Sequence, residues 1–193
     1  ERVQVIAGVL AAIAVLAVSK PVFDANVSLV AMNAGPSPLA GPLCNPLFVS
    51  TSFMGDLNAE ATGELANRDG VKSIVLMAPN YQAGKDMAAG FKRTYKGKVA
   101  GEILFKFGET DFQADFSKAR AAGAEAVFVF APGGMGISFL KQWATSGLRG
   151  TMKLYTLYVV DNATLPAIGE AAIGSVHTGH WNPNLDNARN REF

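Results

Sequence analysis

Residues 70–97, GVKSIVLMAPNYQAGKDMAAGFKRTYKG, decide how the fold is read. The run 71–78 is apolar and led by Val, Ile and Leu, which suits a strand buried on both faces, as in a parallel sheet. Pro79-Asn80 breaks it. Met87, Phe91 and Tyr95 then recur at four-residue spacing and form one apolar helical stripe. Lys92, Arg93 and Lys96 fall in the last turn, where cations suit the negative end of the helix dipole, and Gly97 stops the helix. Strand, loop and helix make one βα unit. In open α/β sheets ligands sit beyond the carboxyl ends of the strands. That makes residues 79–84, with Tyr81 at the tip, the expected binding position.

The same alternation runs on both sides of this unit. Residues 56–67 read as a helix with Asp56 at its N-cap, and 99–105 as a strand. Thr110 opens a helix, with Gln113 three residues on as in a capping box; Phe112, Phe116 and Ala119 form its inner stripe and Gly123 closes it. Residues 126–131, AVFVFA, are another buried strand. Pro132-Gly133-Gly134 turns from it into a helix over 135–146, ended by Gly147. Residues 154–160 read as a strand, Asp161-Asn162 as the cap of a short helix reaching Ile168, and 172–178 as a last strand. The polar tail, 182–193, begins one more helix. This order predicts an α/β fold with a doubly wound, mostly parallel sheet.

Upstream, the run 3–18 is the most apolar part of the chain, but it is shorter than the roughly 20 residues a membrane-spanning helix needs. It reads instead as a buried strand over 3–7 and a helix over 10–24, in which Pro21 requires a kink or an earlier stop. Residues 27–32 are a second buried strand, and 33–38 a loop at its carboxyl end. Residues 35–50 carry Pro36, Pro38, Pro42 and Pro46, the clearest composition shift in the chain and a candidate boundary.

The chain has 193 residues, 49% hydrophobic and 17% charged, which describes a globular protein with a sizeable core. Its net charge of +1 and the lack of a basic patch set nucleic acid aside as a partner. Cys44, the single cysteine, reads as a buried or partly buried thiol. Gly133-Gly134-Met135-Gly136 is neither GxGxxG nor a P-loop, so no nucleotide cofactor is expected. His177 and His180 lack further donors at ligand spacing, so no metal is expected. No nucleophile motif stands out, and the carboxylates read as helix caps and exposed charges. These features describe binding without catalysis. Tyr81 and Tyr158, both at strand ends on the loop face, are the ligand-contact candidates; Trp143, on a helix with Phe139, belongs to the core.

In order, VIAG, VAMNAGPSPLAGPLCNPLFVS, VKSIVLMAPNYQAGKDMAAGFK, FGETDFQADFSKARAAGAEAVFVFAPGGMG and VVDNATLPAIGEAAIGSV resemble the type I periplasmic solute-binding proteins of ABC importers. Their branched-chain amino acid and aromatic-acid receptors look nearest. The resemblance implies flavodoxin-like lobes with a small ligand trapped between them, a periplasmic location and a membrane permease as partner. It places residues 1–48 in part of a first lobe with a Pro-rich crossover, 49–176 in the second lobe, and 177–193 in a tail returning toward the first. With half of the first lobe unmatched, weak or no binding by this chain alone is expected, and exposed apolar edges would favour a homodimer.

The family's ligand contacts carry over to Tyr81, to the backbone N–H groups of Ala34 and Gly35, to Ala12 and to Tyr158. Asn33, in the same loop as Ala34, and Pro132, after the 126–131 strand, complete the expected ligand-binding set. The family usually has hydroxyl residues where Gly35 and Ala12 stand, and an acidic residue, which pairs with an amino acid's ammonium, where Tyr158 stands. A zwitterion would therefore leave its ammonium unpaired at a cost, and an aromatic or aliphatic carboxylic acid fits better. Apolar Ala11, Ala12, Ile13 and Leu57 at cleft-side positions raise an alternative, a truncated or engineered flavodoxin-like scaffold that binds no ligand.

Overall fold

The computed structural model describes residues 3–192, which form two parallel sheets. The first places β1 (Val5–Val9), β2 (Ser28–Ala31) and β3 (Phe48–Ser50) side by side in that order. Helix α1 (Ala12–Asp24) links β1 to β2, and a 3-10 turn over Ser37–Ala40 interrupts the Pro-rich link to β3. Ala12, Val15 and Val22 of α1 pack on Leu29 and Ala31 of β2, with Leu39 closing the cluster.

Three expectations are corrected in this part. The strand at the start of the chain is exposed rather than buried, because β1 lies at a sheet edge while α1 packs mainly over β2. Of the two outcomes expected at Pro21, the earlier stop does not occur: α1 continues to Asp24, the end read from the sequence. Cys44 is exposed, since the 41–47 link carries no element over it.

The second sheet is built from β4 (Ser73–Pro79), β5 (Lys98–Phe105), β6 (Ala126–Phe130), β7 (Lys153–Leu157) and β8 (Ser175–Thr178), in the spatial order β5-β4-β6-β7-β8. Counted within this sheet the order is 2-1-3-4-5, the flavodoxin-like winding, whose switch point lies between β4 and β6. Helices α2 (Leu57–Arg68) and α3 (Gln82–Thr94) cover one face; α4 (Gln113–Ala121) and α5 (Gly134–Thr145) cover the other. Strand β4 shows the period-2 division directly: Ile74, Leu76 and Ala78 pack with Ala59, Met87 and Phe91, while Val75 and Met77 pack with Phe116, Phe139 and Trp143. A short α6 (Leu165–Ile168) precedes β8, and α7 (Ala188–Glu192) ends the described residues. Among them no helix is long and apolar enough to cross a membrane.

Helices α2 and α3 touch backbone to backbone. A side-chain carbon on Gly90 would collide with the Asp56 carbonyl oxygen, and one on Gly63 with Thr94 and the Phe91 carbonyl oxygen. Asp56 stands at the N-cap of α2 as expected, but its side chain makes no cap hydrogen bond; it pairs with Arg93 of α3 at 2.5 Å, beside Glu60. The capping box at Thr110 does not form. Gln113 is the first helical residue of α4; its N–H donates to Asp111 Oδ1 at 3.1 Å, and the neighbouring helix holds the residues before it. Gln142 of α5 accepts the Phe112 N–H at 2.9 Å and donates to the Thr110 carbonyl at 2.7 Å.

Candidate functional site

The two sheets meet at the carboxyl ends of their strands, around a cavity of about 440 Å³. From the first sheet come the turn after β1, the start of α1 and the loop after β2. From the second come the loops after β4, β5, β6 and β7. The loops after β4 and β6 flank the switch point, where the winding reverses and leaves a crevice.

All seven residues singled out in the sequence line this cavity: Ala12, Asn33, Ala34, Gly35, Tyr81, Pro132 and Tyr158. Ala34 and Gly35 are buried at the end of β2, and among the described residues neither N–H donates to a protein acceptor. Two buried donors without partners are costly unless a ligand or water meets them. Ala12 begins α1, whose positive dipole end faces the same space. Asn33 is committed elsewhere, its side-chain amide donating to the Leu10 carbonyl at 3.3 Å.

Glycine at position 35 has a steric reason. A side-chain carbon on Gly35 would strike the Phe53 carbonyl oxygen and crowd the Met54 backbone, and the Gly55 N–H already donates to the Gly35 carbonyl at 2.7 Å. The loop after β2 is wedged against residues 53–55 at a distance only glycine tolerates. What this wall offers an anion is backbone N–H groups.

The remaining walls are aromatic. Tyr81 stands edge-on to Phe107 at 5.0 Å and is stacked with Phe130 at 6.5 Å. Phe130 meets Tyr158 edge-on at 6.3 Å, and Tyr158 lies parallel to Phe53 at 6.4 Å. This run of five rings gives the cavity a flat, polarizable lining. Burial pushes the Tyr81 phenol up to about 12, and its hydroxyl has no protein partner among the described residues. Burial also pushes Tyr158 up to about 12, with an opposing pull from the Asn58 amide that donates to it at 2.6 Å. Tyr158 adopts a left-handed backbone, φ 56°, which ends β7 and turns its ring back toward the cavity.

Among the lining residues that sequence reasoning missed are Phe53, Phe107, Phe130 and Asp86. Phe130 belongs to the apolar run 126–131, which reads as a strand core, and Phe53 and Phe107 fall in loops without a motif. Asp86 departs most from expectation. The sequence pattern makes carboxylates caps and exposed charges, yet Asp86 is 3% exposed. His177 and His180 lie at and after β8. One ring nitrogen of His177 is 3.1 Å from Thr156 Oγ1, and one of His180 is 3.4 Å from the Tyr158 hydroxyl.

Comparisons with known proteins agree with this architecture. The periplasmic binding protein family matches residues 1–193. The Leu/Ile/Val-binding protein homolog 6 of Brucella melitensis biotype 1 is 29% identical over 199 aligned residues, covering 100% of this chain and 50% of that protein. A solute-binding protein of an ABC transporter from R. palustris, solved with 4-hydroxybenzoate, is 29% identical with a TM-score of 0.86, over 97% of this chain and 52% of that one. A second from R. palustris, solved with benzoate, is 27% identical with a TM-score of 0.87, over 98% and 53%. The chain thus spans about half the length of the relatives it matches. With its whole length matched, its parallel α/β sheets and its cavity between their carboxyl ends, this chain belongs to the periplasmic binding protein family.

Proposed function

We propose that this chain is the ligand-holding part of a solute-binding component of a bacterial ABC transporter, and that its cavity captures a small carboxylic acid, an aromatic one by preference. The observation that carries the reading is the pairing of two free, buried N–H groups, on Ala34 and Gly35, with a wall of five aromatic rings across the same cavity. Backbone N–H groups and the start of α1 suit a carboxylate. The rings suit a flat apolar body. The relatives solved with benzoate and 4-hydroxybenzoate bind ligands of that shape.

An amino acid fits less well. Its ammonium would need an acceptor where Tyr158 stands, and Asp86 is already engaged by three donors. The Brucella relative's name keeps branched-chain amino acids as the second reading. Residues 1–48 and 49–176 form the two lobes in this proposal, with 177–193 returning toward the first. The chain acts in the periplasm, delivers its ligand to a membrane permease and catalyses no reaction. The exposed edge of β1, with Val5 and Ile6, carries the accompanying expectation of self-association, which light scattering across concentration tests.

Calorimetry with benzoate and with leucine, each carried to millimolar concentration, tests the ligand class. Of the weak or absent binding expected of this chain, the acid proposal requires the weak form: saturable heat with benzoate in the millimolar range and less with leucine, while the reverse order would move the assignment to amino acids.

A further inference from the structure

Asp86 is a buried carboxylate on the first turns of α3, and every donor it meets serves the loop opposite or its own helix. The Ser37 N–H donates to Asp86 Oδ2 at 3.0 Å, the Ser37 hydroxyl to Oδ1 at 2.6 Å, and Gln82 Nε2 to Oδ1 at 2.7 Å. Ser37 follows β2 in the first sheet, and Asp86 belongs to the second. Gly55 fits between them, where an added side-chain carbon would lie 3.4 Å from Asp86 Oδ2 and 3.3 Å from the Gly35 carbonyl oxygen. The loop is thus fixed at Gly35 by the Gly55 N–H and at Ser37 by Asp86, and the free N–H groups lie at and beside the first of these points.

We infer that Asp86 is a positioning residue: it ties the loop after β2 to the second sheet and holds the Ala34 and Gly35 N–H groups toward the cavity, so that the acid site forms only when the two sheets are together. This rests on the reading of the cavity as an acid site. The physical basis is charge. A carboxylate receiving three hydrogen bonds in a buried setting makes stronger bonds than a neutral acceptor. Beside this clasp, α1 packs on α3, Ala83 is seated on the first sheet's core, and Phe53 of the loop after β3 lies parallel to Tyr158. Small interfaces of this kind leave relative motion as the default, so a buried clasp beside the site sets how often the site is complete.

The test is a double-mutant cycle on ligand affinity with the full chain: unmodified, Asp86→Asn, Ser37→Ala and both together, each titrated with benzoate and with benzyl alcohol by amide NMR, and each melted thermally. Ser37→Ala keeps the backbone N–H bond to Asp86 and serves as the milder variant if Asp86→Asn fails to fold. Asp86→Asn is expected to weaken benzoate binding about ten-fold. The double variant should be no weaker than Asp86→Asn, and benzyl alcohol should change much less. Benzoate affinities that match the unmodified chain, single effects that multiply, or equal losses for acid and alcohol would overturn the positioning role while leaving the acid site standing. An unmodified chain with no saturable response to benzoate would overturn both.

Discussion

The Tyr158 hydroxyl accepts a hydrogen bond from Asn58 Nδ2 at 2.6 Å, across 100 positions of sequence. That bond joins the first turn of α2 to the end of β7 and holds a half-buried phenol against the cavity. Asn58→Ala should therefore lower stability by about 1 kcal/mol in urea denaturation, with the midpoint moving and the slope unchanged.

All four tyrosines have raised pKa values, and burial is the first cause in each: Tyr81 and Tyr158 to about 12, Tyr95 and Tyr155 upward. The unfolded chain gives up these protons near the ordinary value of about 10. The protonated phenols thus contribute stability that is fully present below pH ~10 and is lost as pH rises toward about 12. Tyrosinate absorbance in an alkaline titration should show no step near pH 10, then a steep rise coincident with loss of far-ultraviolet circular dichroism. A gradual step near 10 in the folded protein would contradict the burial.

Tyr81→Phe removes a hydroxyl without a protein partner, so stability should stay within about 0.5 kcal/mol. The acid proposal expects benzoate binding to weaken two- to ten-fold, or about 0.5–1.5 kcal/mol. Titration calorimetry beside a thermal melt separates the two effects.

Gly35→Ser supplies the hydroxyl that the resemblance implies for this position, but its side-chain carbon meets the Phe53 carbonyl oxygen. It should cost about 1–3 kcal/mol, as overpacking does, and should not strengthen acid binding. A gain in affinity without loss of stability would mean the loop yields where it looks wedged.

Phe91 is fully buried on α3 and lies 4.7 Å from Phe128, ring centre to ring centre. Phe91→Ala should cost about 3–5 kcal/mol in denaturant unfolding. The periodicity that named Phe91 is the part of the fold most legible in the sequence. Runs such as 71–78 and AVFVFA are apolar at every position because both faces of their sheet are covered, and the glycines and prolines between them mark the turns. Strand β1 has the same apolar composition yet lies exposed, since composition records a residue's preference and not what packs against it. The cavity was legible where it follows strand ends, as at Tyr81, Ala34 and Pro132. Asp86 was not, because an aspartate in an amphipathic helix carries no sign of the serine 49 positions away that engages it. Phe53 and Phe107 are loop aromatics, placed in the wall by tertiary structure alone.

Amide NMR of the labelled chain titrated with benzoate tests the central claim most directly. The account predicts that the Ala34 and Gly35 N–H resonances move saturably with the acid, together with the rings of Tyr81 and Tyr158, while Gly70, before the amino end of β4, stays still. Shifts that never saturate, or that spare Ala34 and Gly35, would contradict it.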